Sequence, residues 1–472
     1  MRIDLGGRRL GGWVVADGVV PPAGVTLRPL RGVTGYGPPP DVLALAEWAA
    51  WRWAGRPAHF LRTASPPGAV KGLPPPAAGR RPSAGHPLAG EALAQGGAVV
   101  RLPPADDLTP VVRAAAALGP TLVVAPSAEA AGAVAAALRA DGAVVALLPG
   151  GWARAAAGAD VVVGARAAAW APVPGLAAVV VLDEHDEVHQ EEAAPAWHAR
   201  DVALERARRA GVPWVLTSPC PSLAALADGP LLTPSRADER AGWPVVDVAD
   251  RRREDPLRAG LYSPALVDLV RAAAPGRRVV CVLNRTGRAR LLACTVDGEL
   301  ARCEACGAAV AGEGSGAGGP GELRCPRCGT TRPPICLVCG AARLKAVRLG
   351  ATRAREDLER LAGRPVALVT AAGGTEGDPD APIVVGTEAV LHRVRGAAAV
   401  AFLDLDAELL APRYRAAEEA LALVARAARL VGARGGGGRL LLQTRLPDHE
   451  VVGAALHADP ARVAEAEAPR RA

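Results

Sequence analysis

Cysteines cluster in one part of the chain at spacings that suit metal binding. Seven of the nine cysteines lie between residues 294 and 339, and six of the seven form strict C-x-x-C pairs at 303/306, 325/328 and 336/339. Such a pair places two thiolates on one tight turn, from which both reach a single tetrahedral zinc ion at about 2.3 Å. Two pairs complete a closed structural site, so this region is predicted to bind zinc.

The two inner pairs form the first predicted site, called site 1 below. Each pair is followed directly by glycine, which suits the sharp turn after the second thiolate. Site 1 is predicted to consist of Cys303, Cys306, Cys325 and Cys328. The alternative is that these thiols are reactive or merely buried.

The remaining pair needs two further ligands. Cys294 supplies one, and the residue at the matching spacing is Asp297, which gives C-x-x-D where C-x-x-C is expected. Carboxylate is a less common zinc ligand, at about 2.0–2.2 Å. A second ion, at site 2, is predicted to be held by Cys294, Asp297, Cys336 and Cys339, with a degenerate or empty site as the alternative. Neither set leaves a coordination position open, so both sites are predicted to be structural.

Length, composition and charge limit the class of protein. At 472 residues and 50% apolar content, the chain is long enough for two or three domains. The N-terminus has no apolar signal segment and no stretch reaches about 18 uninterrupted apolar residues, which predicts a cytoplasmic protein. Thiols there stay reduced, so paired cysteines indicate metal and not disulfides. The net charge of +7 is spread along the chain and permits nucleic-acid binding without requiring it.

Short β-branched runs alternate with Ala-rich helical stretches from about residue 97 onward. This alternation predicts an α/β protein with parallel sheets. It pauses at the cysteines and then resumes, so two α/β lobes are expected, with the zinc region inserted into the second. Residues 41–55 have helical periodicity, and residues 66–86 are too rich in Pro and Gly for a core element. The two other cysteines, Cys220 and Cys281, lie in apolar strand contexts and are predicted to be core residues.

The order of the segments resembles the PriA family of replication-restart DNA helicases, including its eight zinc ligands with one substitution, Asp297. The resemblance covers the chain nearly end to end. It is carried by these stretches: RIDLGGRRLGGWVV (2–15), EEAAPAWHARDVALERA (191–207), LYSPALVDLV (261–270), VLNRTGRARLLAC (282–294), PIVVGTEAV (382–390), FLDLDAELLAPRYRAAEEA (402–420) and LLLQTRLPDHE (440–450).

The resemblance implies two degenerate RecA-like lobes, a zinc-binding insert in the second lobe, and a small N-terminal β-rich DNA-binding module. Both ends and the segment before the first lobe depart from the family pattern, so a fragment or a misplaced start stays open. The expected domains are a partial N-terminal module (1–65), a linker (66–87), lobe 1 (88–245), the start of lobe 2 (246–293), the insert (294–344), the rest of lobe 2 (345–445) and a truncated C-terminal region (446–472).

The segments that would handle ATP in this family are altered. A phosphate-binding loop needs G-x-x-x-x-G-K-[ST], but the first strand of lobe 1 is followed by RLPPADDLTP, and neither lysine of the chain, Lys71 or Lys345, lies in such a loop. Leu182 replaces the leading acid of the family's DEEH motif, and Ser218-Pro219-Cys220 replaces its SAT motif. The arginine-finger motif aligns with residues 428–433 and has lost both arginines.

Three functions follow from the resemblance and these losses. The preferred one is a replication-restart protein without helicase activity, which binds stalled or abandoned forks and helps to assemble the primosome that reloads the replicative helicase. The alternatives are an active ATP-dependent 3′-5′ helicase with cryptic motifs and a zinc-ribbon scaffold that does not bind DNA. Asp183, Glu184 and His185 are interpreted as a solvated strand end without chemistry. Phosphate contacts are proposed for Arg8 and Arg9, with Arg28 and Arg31 compatible with the same role, and the alternative is a general excess of arginine on a solvated surface.

Overall fold

The computed structural model describes most of the chain, namely residues 1–5, 8–25, 30–77, 79–80, 85–252, 254, 261–283, 291–313, 321–346, 350–370 and 374–471. Two compact units are present. The first contains Met1–Leu102 and Asp107–Thr233, and the second contains Pro103–Asp106 and Pro234–Ala472. Among the described residues, no helix combines the length and the apolar character needed to cross a membrane.

The first unit is built on a parallel sheet of seven strands, in the order β5-β6-β4-β7-β8-β3-β9. The strands of the first unit, including the separate hairpin of β1 and β2, are β1 (Arg2–Leu5), β2 (Arg8–Gly11), β3 (Gly97–Arg101), β4 (Thr121–Val124), β5 (Val145–Leu147), β6 (Val161–Gly164), β7 (Ala178–Val181), β8 (Trp214–Ser218) and β9 (Leu231–Leu232). Its helices are α1 (Pro40–Arg52), α2 (Pro57–Ala64), α3 (Pro87–Ala94), α4 (Thr109–Ala116), α5 (Ala128–Ala140), α6 (Trp152–Ala157), α7 (Ala199–Ala210) and α8 (Leu223–Leu226).

The strands of this sheet, apart from the short edge strand β9, are largely buried on both faces, which is why they read as continuous apolar runs in the sequence. Side chains alternate between the two faces, so that Val179 and Val181 face one core and Val180 the other. The segment expected to form a separate N-terminal module is only partly separate. Helices α1 and α2 pack into the core of this unit, because their apolar faces meet the same cluster as the strands.

The second unit has a seven-stranded sheet in the order β10-β21-β20-β11-β19-β17-β18, parallel except for the β17–β18 pair. Its strands are β10 (Val245–Asp250), β11 (Val279–Val282), β12 (Leu292–Cys294), β13 (Ala311–Glu313), β14 (Glu322–Arg324), β15 (Thr331–Arg332), β16 (Leu344–Ala346), β17 (Val366–Thr370), β18 (Gly374–Glu376), β19 (Ile383–Gly386), β20 (Ala399–Phe402) and β21 (Arg439–Thr444). Its helices are α9 (Arg236–Ala241), α10 (Pro264–Arg271), α11 (Ala351–Ala362), α12 (Val390–Arg393), α13 (Asp406–Leu409), α14 (Ala416–Val431), α15 (Glu450–His457) and α16 (Ala461–Arg471).

The cysteine region is inserted between β11 and β17 and starts and ends on a short antiparallel pair, β12–β16. Strands β13, β14 and β15 form its second small sheet. A cluster that includes Leu300 and Ala309 from the insert and Ala407 and Leu410 from lobe 2 joins the insert to the lobe. The structure therefore confirms the predicted α/β class with two parallel sheets and an insert in the second lobe.

Candidate metal centres and a degenerate nucleotide site

Site 1 is formed by two turns that bring four thiols together. The sulfur atoms of Cys303, Cys306, Cys325 and Cys328 all lie within 4.8 Å of one another. Cys303 Sγ lies 3.5 Å from Cys328 Sγ, and Cys306 Sγ lies 3.5 Å from Cys325 Sγ. A tetrahedral ion with four bonds of about 2.3 Å separates its sulfur ligands by about 3.8 Å, so these thiols have the spacing that zinc requires.

Site 2 has the same arrangement with one carboxylate. One ligand atom from each of Cys294, Asp297, Cys336 and Cys339 lies within the same 4.8 Å limit. Cys294 Sγ lies 3.6 Å from Cys339 Sγ, and Cys336 Sγ lies 3.3 Å from Asp297 Oδ2. The structure thus brings together both predicted sets, and each of them fits a zinc ion.

The turn that carries Asp297 has the backbone of a zinc-binding C-x-x-C turn. The amide of the following Gly298 donates to the Cys294 carbonyl at 3.0 Å, as Gly340 does to Cys336 at 2.9 Å. The glycine after each of the four turns has φ between 71° and 79°, a region that L side chains rarely adopt: Gly298, Gly307, Gly329 and Gly340. Gly298 directly follows Asp297 in the sequence and is the local signal that Asp297 stands where the second cysteine of such a turn would be.

Two of the ligands are held in the ionised form that a metal requires. The backbone amide of Glu299 donates to Asp297, and with the neighbouring thiols it lowers the pKa of that carboxyl to about 2. The hydroxyl and backbone amide of Thr330 lower the pKa of the Cys328 thiol to about 6. Cys220 and Cys281 lie outside both sites and are buried, as predicted, and burial raises the pKa of Cys281 to about 12.

The loop after β3 has no features of a phosphate-binding loop. It contains Pro103 and Pro104, and the Asp107 carboxylate accepts a 2.8 Å hydrogen bond from the amide of Thr109 at the start of α4. Helix N-termini bind phosphate through free backbone amides. Here one amide is already occupied by a carboxylate, and the next residue, Pro110, has no amide hydrogen. Nothing in this loop can replace the missing lysine.

The two acids after β7, Asp183 and Glu184, are buried. The prediction that they form a solvated strand end was therefore wrong. Asp183 and Glu184 are 2% and 1% exposed. Glu184 accepts hydrogen bonds from the Ser222 amide at 2.7 Å, from the Ser222 hydroxyl at 2.8 Å and from Arg200 at 3.3 Å. Burial still raises the pKa of Glu184 above its ordinary value. Arg200 and Ser222 make burial of the acid possible, and neither partner was predicted from the sequence.

The other residues expected at the nucleotide site also have structural partners. His185 Nδ1 lies 2.9 Å from the Ser218 hydroxyl. In the segment aligned with the arginine-finger motif, Arg429 donates to the Pro104 carbonyl at 2.9 Å. This arginine binds the backbone of its own unit.

The N-terminal arginines lie on the short hairpin of β1 and β2. Arg8 and Arg9 are both exposed, with Arg9 opposite Asp4 in the register. Successive strand residues point to opposite faces, so the two guanidinium groups leave the hairpin on different sides. Arg31 forms an ion pair with Asp4. Arg28, like most of the stretch compared at residues 282–294, lies outside the described residues.

A groove of about 990 Å³ runs between the site 1 turn and the segment before α15. Three of its arginines are ion-paired: Arg302 to Glu299, Arg252 to Asp448 and Arg470 to Glu450. The groove is also lined by Arg327, Arg445 and Glu467, so five arginines face four carboxylates. These charges nearly cancel, which leaves an anion little net attraction.

Comparison with known proteins shows which proteins the chain resembles. No protein-family model matches the chain. The chain is 27% identical over 314 residues to the replication restart protein PriA of Bacillus subtilis, which covers 61% of this chain and 38% of that protein. It is 33% identical over 332 residues to the probable replication restart protein PriA of Mycobacterium bovis, which covers 66% of this chain and 50% of that protein.

Among solved structures, the chain is similar to the E. coli DExH-box NTPase HrpB at 14% identity and a TM-score of 0.38. The match covers 75% of this chain and 40% of the HrpB chain, and a likeness at this TM-score supports no argument. The chain spans half or less of the length of the two relatives above. The similarity to these relatives nevertheless extends over about two thirds of the present chain. On this evidence, the chain is similar to the PriA family of replication restart proteins over about two thirds of its length.

Proposed function

We propose that this chain binds stalled or abandoned replication forks and helps to assemble the primosome that reloads the replicative helicase, without unwinding DNA itself. The observation that carries the proposal is the 33% identity to a probable replication restart protein over 66% of the chain. The altered nucleotide site supports the second half of the proposal. The zinc insert, held against lobe 2 by its own apolar cluster, would offer a rigid surface to the other primosome proteins.

ATP hydrolysis is expected to stay at background, with or without forked DNA. Phosphoryl transfer depends on positioning the phosphate and on neutralising its charge. The loop after β3 contains prolines and carboxylates, which can do neither. The measurement is phosphate release by the purified protein, with a Glu184→Gln variant as control. DNA-stimulated turnover of about 1 s⁻¹ or more that Glu184→Gln abolishes would restore the helicase alternative. Turnover that is equal in both proteins would indicate a contaminant.

Binding to forked DNA is expected to be tighter than binding to linear duplex and to weaken with salt. Each lost phosphate contact lowers the slope of log affinity against log salt by about one unit. Because Arg8 and Arg9 leave the hairpin on opposite faces, we expect the Arg8→Ala, Arg9→Ala double variant to lose about one unit, less than the two that the sequence alone suggests.

Anisotropy titrations across a salt series measure these slopes, with Arg364→Ala, an exposed arginine of lobe 2, as the matched control. An unchanged slope in the folded double variant would remove both arginines from the interface. Absence of DNA binding at low salt would instead favour a scaffold that binds only protein.

A further inference from the structure

Trp51 is unlike the other tryptophans of this chain. All nine lie within the described residues, and eight are buried or half-buried, whereas Trp51 is 78% exposed. A tryptophan side chain has a large apolar surface that is usually buried or placed at an interface. Its exposure indicates that this indole ring is available to a partner.

The helix that carries Trp51 is firmly attached to the first unit. The buried face of α1 packs into the core with exposures of 1% or less, through Val42, Leu45, Ala46 and Ala49. Next to Trp51, the ring of Trp53 lies 5.2 Å from that of Trp48 and 6.1 Å from that of Phe60. The indole of Trp51 is therefore mounted on a rigid support, so little backbone entropy is lost when it binds.

Positive charge lies on the C-terminal side of Trp51. Arg52, Arg56 and Arg62 are exposed, and none forms an ion pair with another described residue. The guanidinium of Arg52 lies 5.8 Å from the centre of the Trp53 ring, which keeps it close to the helix end. The one nearby acid on this helix face, Glu47, lies a turn before Trp51, so an anionic partner would extend away from it.

We propose that Trp51, Arg52 and Arg56 form a contact for single-stranded DNA, in which an unpaired base stacks on the indole and the arginines bind the adjoining phosphates. An exposed aromatic ring beside unpaired cations is the combination that proteins use for single strands. Duplex DNA would gain only the phosphate contacts, because its base faces are already stacked. The inference rests on the proposed function and assigns the unpaired strand of a fork to this surface.

The test is fluorescence anisotropy with oligo(dT) of about twelve nucleotides and with forked DNA, using the full chain. Trp51→Ala should weaken oligo(dT) binding roughly 5- to 150-fold, the range that the loss of one stacked base produces. Trp51→Tyr should restore most of it, because tyrosine also offers a ring for stacking. Leu118→Ala, another exposed apolar residue of the same unit, should leave the affinity unchanged.

The possible failures can be told apart. Unchanged oligo(dT) affinity in folded Trp51→Ala, with fork binding intact, would overturn this inference and leave the proposed function standing. Absence of binding to either DNA by the unaltered protein would overturn both. A concentration-dependent dimer seen by light scattering and lost in Trp51→Ala would assign the surface to a second copy of the chain, and would also overturn the inference.

Discussion

Replacing Cys303 by serine is expected to remove one zinc ion per chain and to unfold much of the insert between β12 and β16. The core of the insert around site 1 is very small and includes two of the ligands themselves: Ala301, Cys303, Ala308, Val310, Leu323 and Cys325. Cores of this size do not keep a fold stable without a metal or disulfide. A structural zinc site contributes about 10–16 kcal/mol of apparent binding energy, which is folding energy for such a module.

Elemental analysis and limited proteolysis within residues 294–344 measure the two effects of this change. The matched control is Cys220→Ser, a buried cysteine outside both sites, which should keep the full zinc content. If the unaltered protein carries one zinc ion and Cys303→Ser retains it, site 1 is not the tight site. Protease resistance unchanged after loss of the ion would show that the apolar contacts alone hold the insert together.

The zinc ion of site 2 is expected to be lost first to a chelator. Exchanging one thiolate for a carboxylate keeps the ligand charge but replaces a soft donor by a hard one, which zinc holds less firmly in a thiolate-rich site. We therefore expect two zinc ions per chain after gentle purification and one after mild chelation. Asp297→Cys should slow the loss of the labile ion, because the turn already has the backbone of a cysteine pair, and Asp297→Ala should hasten it.

Release of zinc to a colorimetric chelator measures how fast the unaltered protein and each Asp297 variant lose the labile ion. Asp380→Ala, an exposed acid outside both sites, is the matched control and should release zinc as the unaltered protein does. Equal rates for Asp297→Ala and the unaltered protein would show that the carboxylate is not a ligand. A slower loss from Asp297→Ala would contradict the assignment of site 2 as the labile site.

Much of the fold could be predicted from short stretches of sequence. Strands such as Val161–Gly164 and Ala178–Val181 appear as apolar runs because a parallel sheet covered on both faces requires apolar side chains at every position. The candidate zinc ligands could be recognised for a similar reason. A C-x-x-C turn is a local structure, so its spacing and its glycine can be recognised without knowing what surrounds it.

The sequence by itself determined the α/β class, the place of the insert and the composition of both candidate ligand sets. Tertiary structure decided the features that depend on distant contacts: α1 and α2 join the first core, Glu184 is buried because Arg200 and Ser222 reach it, and Trp51 stays exposed while its neighbours are covered. Burial and pairing across long sequence separations depend on which elements pack together. A period of apolar residues shows that a face will be buried, but not what will cover it.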